Sequence, residues 1–209
     1  MDIRDEAMQL RNEKHQMIKT GLNAKMENSH DLAVVYTPGV AAPCLAIKEE
    51  EDKSLELTWR GNVVAVISDG TRVLGLGDIG PAAAMPVMEG KSALYKRFGN
   101  IDAIPIVLNT KDKDEIVRTI RILEKSFAGI NLEDFSSPKC YDIEDELKAT
   151  MNIPVFHDDQ HGTAIAALAA VLGALRLIKK GIGEAKVAQA RQARLLQDCS
   201  WKMASNRKI

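Results

Sequence analysis

The sequence predicts an α/β fold with a mainly parallel sheet flanked by helices, and two features of the chain lead to this prediction. Short apolar segments alternate with longer helical segments along most of the chain, which is the order expected when helices connect parallel strands. Two of the apolar segments, residues 62–68 (NVVAVIS) and 101–108 (IDAIPIVL), are rich in β-branched residues. Such runs are typical of strands that are buried on both faces.

The first part of the chain is predicted to hold a surface helix, a strand and a short second helix. Apolar residues recur at helical spacing over residues 3–19, with charges between them, and Gly21 ends this helix. Residues 32–36 (LAVVY) form a short apolar run that stops at the turn residues 37–39 (TPG), which predicts a strand. Residues 40–47 (VAAPCLAI) predict a helix that is broken near the proline.

Strands and helices alternate in the rest of the chain. Pro81 stands at a favoured first helical position, and Gly99 with Asn100 closes that helix. The further predicted elements are a helix over residues 111–127, a strand over 129–132, a helix over 143–151, a strand over 154–157 and a helix over 163–180. Residues 1–183 are therefore predicted to form one domain. Residues 184–209 form a basic, polar tail that we expect to be either poorly ordered or a surface helix over 184–196.

The composition is that of an ordinary globular protein, and it excludes several classes of partner. The chain has 209 residues, 45% of them hydrophobic and 27% charged, with a formal net charge of −1 and no dense basic block. Neither nucleic acid nor an anionic membrane surface is an expected partner of such a chain. The N-terminus carries charges throughout, unlike a signal peptide, and we predict no segment as long and apolar as a membrane span. Three widely spaced cysteines without a C-x-x-C motif fit a reducing cytoplasm.

Two pairs of acidic residues follow predicted strands. Glu133 and Asp134 come after residues 129–132, and Asp158 and Asp159 come after residues 154–157, at the sheet edge where open α/β folds bind ligands. Neighbouring residues on an extended chain point in opposite directions, so we expect one of Asp158 and Asp159 to bind metal and the other to be free for another role. Three carboxylates form an oxygen site suited to Mg²⁺ or Mn²⁺. Solvated loop acids are the alternative interpretation.

Three other side chains are candidates for proton transfer or substrate binding. Lys91 lies in a helix of small and apolar residues, and such a setting lowers the pKa of a lysine towards that of a base active near neutral pH. Tyr36 precedes a turn and could act as an acid. Arg72 follows a strand and its turn and could bind a carboxylate with two hydrogen bonds. The alternatives for Lys91 and Tyr36 are a surface lysine and a core tyrosine.

Two further motifs are expected to have structural roles. Residues 75–80 (GLGDIG) match the dinucleotide motif G-x-G-x-x-G, but the next strand ends without the acidic residue that binds a ribose, and Asp78 would repel a pyrophosphate. We therefore expect these glycines to form a tight turn rather than a cofactor site. His157 and His161 are four residues apart, but one ends a strand and the other lies in a helix, so we expect structural roles or roles as partners of metal ligands.

Four segments together resemble the first domain of malic enzyme, of the short bacterial type. The resemblance extends over about residues 31–186. The segments that carry it are YTPGVAAPC at 36–44, ISDGTRVLGLGDIGPAAAMPVMEGKSALYKRFGNIDAIPI at 67–106, INLEDFSSPKCYDIE at 130–144 and PVFHDDQHGTAIA at 154–166.

This resemblance implies an activity and a role for each candidate residue. The activity is the oxidative decarboxylation of malate, through oxaloacetate, to pyruvate and CO₂ with NAD or NADP and Mg²⁺ or Mn²⁺. The implied roles are Tyr36 as general acid, Lys91 as general base, Asp158 as the carboxylate assisting that base, Arg72 as the residue that binds the malate carboxylate, and Glu133, Asp134 and Asp159 as metal ligands.

The end of the sequence departs from the family pattern. In malic enzymes a second, dinucleotide-binding domain follows, but this sequence has no glycine after Gly183. We expect this chain to lack the cofactor domain, to result from a shifted reading frame or an early stop, and to be unable to turn over malate by itself. Two alternatives are a non-catalytic partner of a full-length malic enzyme and an oxaloacetate decarboxylase that needs no nucleotide. The resemblance also implies a homodimer or a dimer with a full-length enzyme.

Overall fold

The centre of the protein is a sheet of four parallel strands. The computed structural model describes residues 2–184, and the predictions made for residues 185–209 lie outside this range. The strands are β1 (Val63–Ser68), β2 (Asp102–Val107), β3 (Gly129–Leu132) and β4 (Val155–His157). Their order across the sheet is β2-β1-β3-β4, and every pair is parallel. The predicted fold class and all four of these strands are confirmed.

Eight α-helices accompany the strands in the described part of the chain. They are α1 (Ile3–Lys14), α2 (Ser29–Val35), α3 (Ala41–Glu49), α4 (Ser54–Leu57), α5 (Gly80–Gly99), α6 (Lys113–Ile122), α7 (Lys139–Thr150) and α8 (Asp158–Leu177). Short 3₁₀ turns cover Glu51–Lys53, Trp59–Asn62, Glu124–Ser126 and Ile182–Glu184.

Helices cover both faces of the sheet, as the mostly apolar strands require. On one face, β1, β3, α6 and α7 share a core whose central members are fully buried: Ile67, Ile116, Ile120, Leu132, Ile143 and Leu147. On the other face, Met88 of α5 packs with Val66 of β1 and Ala103 of β2. Successive side chains of a strand point to opposite faces of the sheet, so alternate residues of β1 belong to the two cores.

One predicted strand is a helix in the structure. Residues 32–36 were expected to be extended because they are apolar and β-branched, but residues 32–35 lie in α2. The side chain of Asn28 accepts a hydrogen bond from the backbone N–H of Asp31 and so caps this helix. An N-cap of this kind stabilises the first turn, and here it outweighs the β-propensity of the two valines.

Several helix boundaries differ from the prediction. Helix α1 ends at Lys14 instead of continuing to residue 19. Pro43 does not break α3, because it lies in the first turn, where no backbone N–H is needed. Helix α8 begins at Asp158 instead of residue 163, so its first turn carries two acidic residues, which the helix dipole favours at that end.

Helix α8 contradicts the prediction that no segment has the length and composition of a membrane span. It is the one helix among residues 2–184 that is long and apolar enough for that role. This is weak support for a membrane segment, because long apolar helices of soluble proteins have the same length and composition. The first turn of α8 is fixed to the sheet edge: the backbone N–H of Asp134 donates to Asp159, and Lys91 donates to Asp158.

The turn after β1 depends on a glycine whose replacement we expect to be costly. Gly70 has a φ of +67°, and a Cβ atom there would lie 2.3 Å from the carbonyl oxygen of Gly80. Gly75 has a φ of +78°, but a Cβ atom there would meet nothing within 4 Å. We expect Gly70→Ala to lower the free energy of unfolding by about 3 kcal/mol and Gly75→Ala by about 1 kcal/mol. Urea denaturation of both variants checks this, and equal losses would show that the backbone contact is unimportant.

Candidate active site

The ends of the neighbouring strands β3 and β4 bring the predicted acidic residues together. In the parallel register, Ile67 of β1 pairs with Leu132 of β3, and Leu132 pairs with His157 of β4. Glu133 therefore leaves the sheet directly beside Asp158, the first residue of α8. The sequence-based expectation that both acidic pairs lie at one sheet edge agrees with this arrangement.

Three of these carboxyl groups form a compact cluster, which we call the carboxylate cluster: Glu133, Asp134 and Asp159. One oxygen from each lies within 4.8 Å of those of the other two. The backbone N–H of Asp134 donates to Oδ2 of Asp159 at 3.0 Å, and Asp134 itself has a left-handed φ of 57°. The chain turns sharply at this residue, and the turn directs its N–H at Asp159.

Lys91 of α5 joins the carboxylate cluster to Asp158. Its Nζ donates to Oδ2 of Asp158 at 2.6 Å and lies 3.2 Å from Oε1 of Glu133. Asp158 and Asp159 are successive residues of a helix rather than of an extended segment, so the reason given for separating them was wrong. Their side chains nevertheless have different partners, since Asp158 contacts Lys91 and Asp159 accepts from Asp134. Gly162 makes room for Asp158, because a Cβ atom there would lie 2.5 Å from its Oδ1.

The pKa of Lys91 is shifted in the opposite direction to the sequence-based expectation. Burial by itself lowers the pKa of this lysine, but its hydrogen bond to Asp158 and the negative charges of Glu133 and Asp158 outweigh burial and raise its pKa above the ordinary value. The expectation of a lowered pKa was wrong because the apolar composition of α5 does not reveal the two acidic residues that face Lys91 from other elements.

Two members of the carboxylate cluster hold their protons unusually tightly. Burial raises the pKa of Glu133 to about 7, although the charge of Lys91 acts in the opposite direction. Burial and the neighbouring charge of Asp159 raise the pKa of Asp134 to about 6. Both shifts have the same physical origin, because negative charge accumulates where little water can solvate it.

The chemistry of the cluster fits a divalent cation. Glu133 and Asp158 contact the ammonium group of Lys91, and Asp134 and Asp159 lie next to Glu133, so acidic groups outnumber basic groups here. Oδ2 of Asp134 is buried and has no hydrogen-bond partner in the described part of the chain, which is costly unless something else binds it. Carboxylate oxygens without nitrogen or sulfur ligands suit Mg²⁺ or Mn²⁺.

Arg72 lies beside the cluster, whereas Tyr36 does not join it. The backbone N–H of Arg72 donates to the carbonyl of Asp134 at 3.0 Å, and its positive charge helps to lower the pKa of Asp134 against the dominant effect of burial. Tyr36 is the C-terminal cap of α2, and its side chain is 67% exposed. In the described residues, no hydrogen bond connects the Tyr36 hydroxyl to Lys91 or to the carboxylate cluster.

The glycine motif and the two histidines lie outside the cluster itself. Gly75, Gly77 and Gly80 all have positive φ, and the backbone N–H of Val73 donates to the carbonyl of Gly77, so the predicted tight turn is present. His157 is buried at the end of β4, and burial lowers its pKa. His161 lies on α8, where its Nε2 is 2.5 Å from the buried Glu144 of α7.

Two residues in contact with the site were missed by the sequence analysis. Asn131 is 1% exposed, and its amide nitrogen donates to Oε2 of Glu133 at 2.9 Å. Tyr95 of α5 donates its hydroxyl proton to the amide oxygen of Asn131 at 3.0 Å. Two signals in the sequence pointed to them: Asn131 is the polar residue in an otherwise apolar strand, and Tyr95 follows Lys91 by four residues, which places both on one helix face.

Comparison with known proteins decides the family. The family model for the N-terminal domain of malic enzyme matches residues 12–148, which is more than half of the chain. The chain belongs to the malic enzyme family. Three of the four segments that resemble malic enzyme, residues 67–106, 130–144 and 154–166, meet at the sheet edge described above.

Individual malic enzymes are similar over most of this chain. The NAD-dependent malic enzyme of Geobacillus stearothermophilus is 54% identical over 81% of the chain, and the NADP-dependent malic enzyme of Escherichia coli (strain K12) is 51% identical over 78%. The crystal structure of malic enzyme from Pyrococcus horikoshii Ot3 superposes with a TM-score of 0.89 at 41% identity and covers 97% of this chain. The match spans 36%, 21% and 48% of these three proteins, so the chain corresponds to about half of such a protein or less.

Proposed function

We propose that this chain is the substrate- and metal-binding domain of a malic enzyme that converts malate to pyruvate and CO₂ with NAD or NADP. The domain would comprise residues 1–183. The observation that carries the proposal is the position of Lys91, whose Nζ lies 2.6 Å from Asp158 and 3.2 Å from Glu133 of the carboxylate cluster. A base, its proton acceptor and a set of oxygen ligands are thus adjacent. Cytoplasmic localisation and a homodimer, or a dimer with a full-length enzyme, are parts of the same proposal.

The carboxylate cluster would hold one Mg²⁺ or Mn²⁺ ion. The support is the close approach of Glu133, Asp134 and Asp159 and the buried, unpartnered oxygen of Asp134. When bound, such an ion supplies positive charge that polarises an oxygen of the substrate. Asp159 has a second task in this proposal, because by accepting the Asp134 N–H it fixes the turn that follows β3.

Lys91 and Asp158 would move the hydroxyl proton of malate. A raised pKa means that Lys91 is protonated at neutral pH before the reaction, and a protonated amine cannot act as a base. Asp158 is in direct hydrogen-bond contact with the ammonium group and is the acceptor to which Lys91 passes its proton. Proton transfer between them prepares the amine to accept the hydroxyl proton of the substrate.

Arg72 and Tyr36 would bind and protonate the substrate, respectively. The support for Arg72 is that it is exposed and that its backbone N–H donates to the carbonyl of Asp134 in the cluster; its guanidinium would bind a substrate carboxylate. For Tyr36 the support is its place in the segment YTPGVAAPC; the residue follows α2 directly and is exposed. The hydride would pass to the nicotinamide of NAD or NADP.

A second candidate is the decarboxylation of oxaloacetate without a nucleotide. The observation that favours it is that Lys91, Asp158 and the carboxylate cluster all lie between residues 91 and 159, within one sheet edge. None of these groups depends on a nucleotide-binding segment for its position.

One assay tests both candidates. We expect the chain to release CO₂ from oxaloacetate with Mn²⁺ faster than Mn²⁺ does in solution, and Asp159→Ala to reduce this by about 100-fold or more. Asp114→Ala is the matched control, because Asp114 is an aspartate on α6 whose side chain is 84% exposed. A rate of release no higher than that with Mn²⁺ in solution would contradict both catalytic candidates and favour a non-catalytic partner of a full-length enzyme. Equal rates in the wild type and Asp159→Ala would contradict the assigned ligands.

A further inference from the structure

Four side chains on one side of the carboxylate cluster are joined by three successive polar contacts. Lys91 contacts Glu133 at 3.2 Å, Glu133 accepts from the amide nitrogen of Asn131 at 2.9 Å, and Asn131 accepts from the hydroxyl of Tyr95 at 3.0 Å. Lys91 and Tyr95 are four residues apart on α5, whereas Asn131 lies in β3 and Glu133 directly follows the last residue of that strand. Four residues complete about one helical turn, and two residues along an extended chain return to the same face, so the two pairs of side chains can meet.

The donor and acceptor groups of these four side chains permit one arrangement when Glu133 is ionised, as a metal ligand must be. An ionised carboxylate can only accept hydrogen bonds, so Glu133 then requires the nitrogen of the Asn131 amide to face it. The amide oxygen then faces Tyr95, whose hydroxyl must donate. Tyr95 therefore fixes the orientation of the amide, and the amide fixes one oxygen of Glu133, Oε2.

The position of Asn131 makes it costly to leave this arrangement. The residue is 1% exposed, so an amide that rotated away would lose both bonds with no water to replace them. Its amide also orients Glu133 without adding a charge, so the excess negative charge of the cluster is kept.

We propose that Asn131 and Tyr95 are positioning residues that hold the Glu133 carboxylate in the carboxylate cluster. This inference rests on the proposed metal-binding function of that cluster. Neither residue touches the reacting atoms in this proposal. Their effect reaches the ion through Glu133, in the way that hydrogen-bond partners of metal ligands tune affinity in other proteins.

The test measures Mn²⁺ binding by titration calorimetry for the full chain and three variants. We expect Tyr95→Phe and Asn131→Leu each to weaken Mn²⁺ binding by about 10-fold. Tyr95→Phe keeps the aromatic ring, so a residue that only packed there would leave the affinity unchanged. The control is Ser92→Ala, because Ser92 is next to Lys91 on α5 but its hydroxyl donates to the carbonyl of Met88 in its own helix. This control is expected to bind Mn²⁺ as the wild type does.

Two results would overturn the inference, and they are distinguishable. If the wild type binds Mn²⁺ and Tyr95→Phe binds it equally well, the positioning role fails while the metal site stands. If the wild type binds no Mn²⁺, the proposed metal site fails and the positioning role fails with it. Urea denaturation of each variant verifies folding, and Tyr95→Phe, which removes one half-buried hydroxyl, keeps the test decisive should Asn131→Leu not fold.

Discussion

Asp159→Asn is expected to weaken Mn²⁺ binding by more than about 100-fold, since changes to the partners of metal ligands alone cost 10- to 100-fold. The substitution removes one of the three charges of the carboxylate cluster. It keeps the size of the side chain and an oxygen that can accept the Asp134 N–H, a bond of 3.0 Å in the structure. The loss therefore reports the missing charge rather than a disturbed turn.

Calorimetry of the wild type, Asp159→Asn and Asp114→Asn measures this effect. Asp114 makes an exposed ion pair with its neighbour Lys113 on α6, so its substitution changes the net charge equally without touching the sheet edge. We expect the control to bind one Mn²⁺ ion with wild-type affinity. Equal affinity of Asp159→Asn and the wild type would mean that the ion, if bound, lies elsewhere.

Glu133→Gln is expected to stabilise the metal-free chain above pH 7 by about 3 kcal/mol. Burial raises the pKa of Glu133 from 4.5 to about 7, so the folded state holds this proton more tightly than the unfolded state does. Below about pH 4.5 Glu133 is protonated in both the folded and the unfolded state, so it does not lower the free energy of unfolding. As the pH rises, ionisation of the buried group lowers the free energy of unfolding, and this effect is complete above about pH 7. The free energy of unfolding of the wild type thus falls over this pH range. Glu133→Gln has no carboxyl group at this position, so it does not lose this contribution.

Urea denaturation with a chelator at pH 5 and pH 8 measures this difference. The wild type and the variant are compared at each pH, so contributions from other titrating groups cancel, including that of Asp134 with its pKa of about 6. With saturating Mn²⁺ the order is expected to reverse, because a ligand that binds the folded state stabilises it. A variant no more stable than the wild type at pH 8 would contradict the raised pKa.

These two expectations describe one property of the site. Buried negative charge in the cluster destabilises the metal-free domain, and the same charge binds a cation. A site of this kind trades stability for function, as functional sites often do. The raised pKa of Lys91 has the same origin, because the negative charges of the acidic groups around it stabilise its protonated form.

The sequence predicted the strands well because their signals are local. Residues 62–68 and 129–132 are apolar and bounded by turn residues, and they form β1 and β3. The sheet edge followed from these strands, since acidic residues placed after parallel strands must meet there. Helix α2 was missed because a single cap at Asn28 outweighed an extended-looking pattern.

The missing details of the site depend on contacts between elements. The pKa of Lys91 was predicted in the wrong direction because Glu133 and Asp158 reach it from other elements. Local signals marked Asn131 and Tyr95 separately, but their bond joins β3 to α5, and no local pattern specifies that contact. The position of Tyr36 on an exposed surface likewise depends on how α2 packs.

Anomalous X-ray diffraction from crystals grown with Mn²⁺ tests the central claim most directly. The account predicts one strong anomalous peak at the end of β3, with oxygens of Glu133, Asp134 and Asp159 about 2.1 Å from it, as is usual for a small divalent cation. Lys91 should lie beside this peak without coordinating it. Crystals that contain Mn²⁺ but show no peak there, or a peak bound by other side chains, would contradict the account.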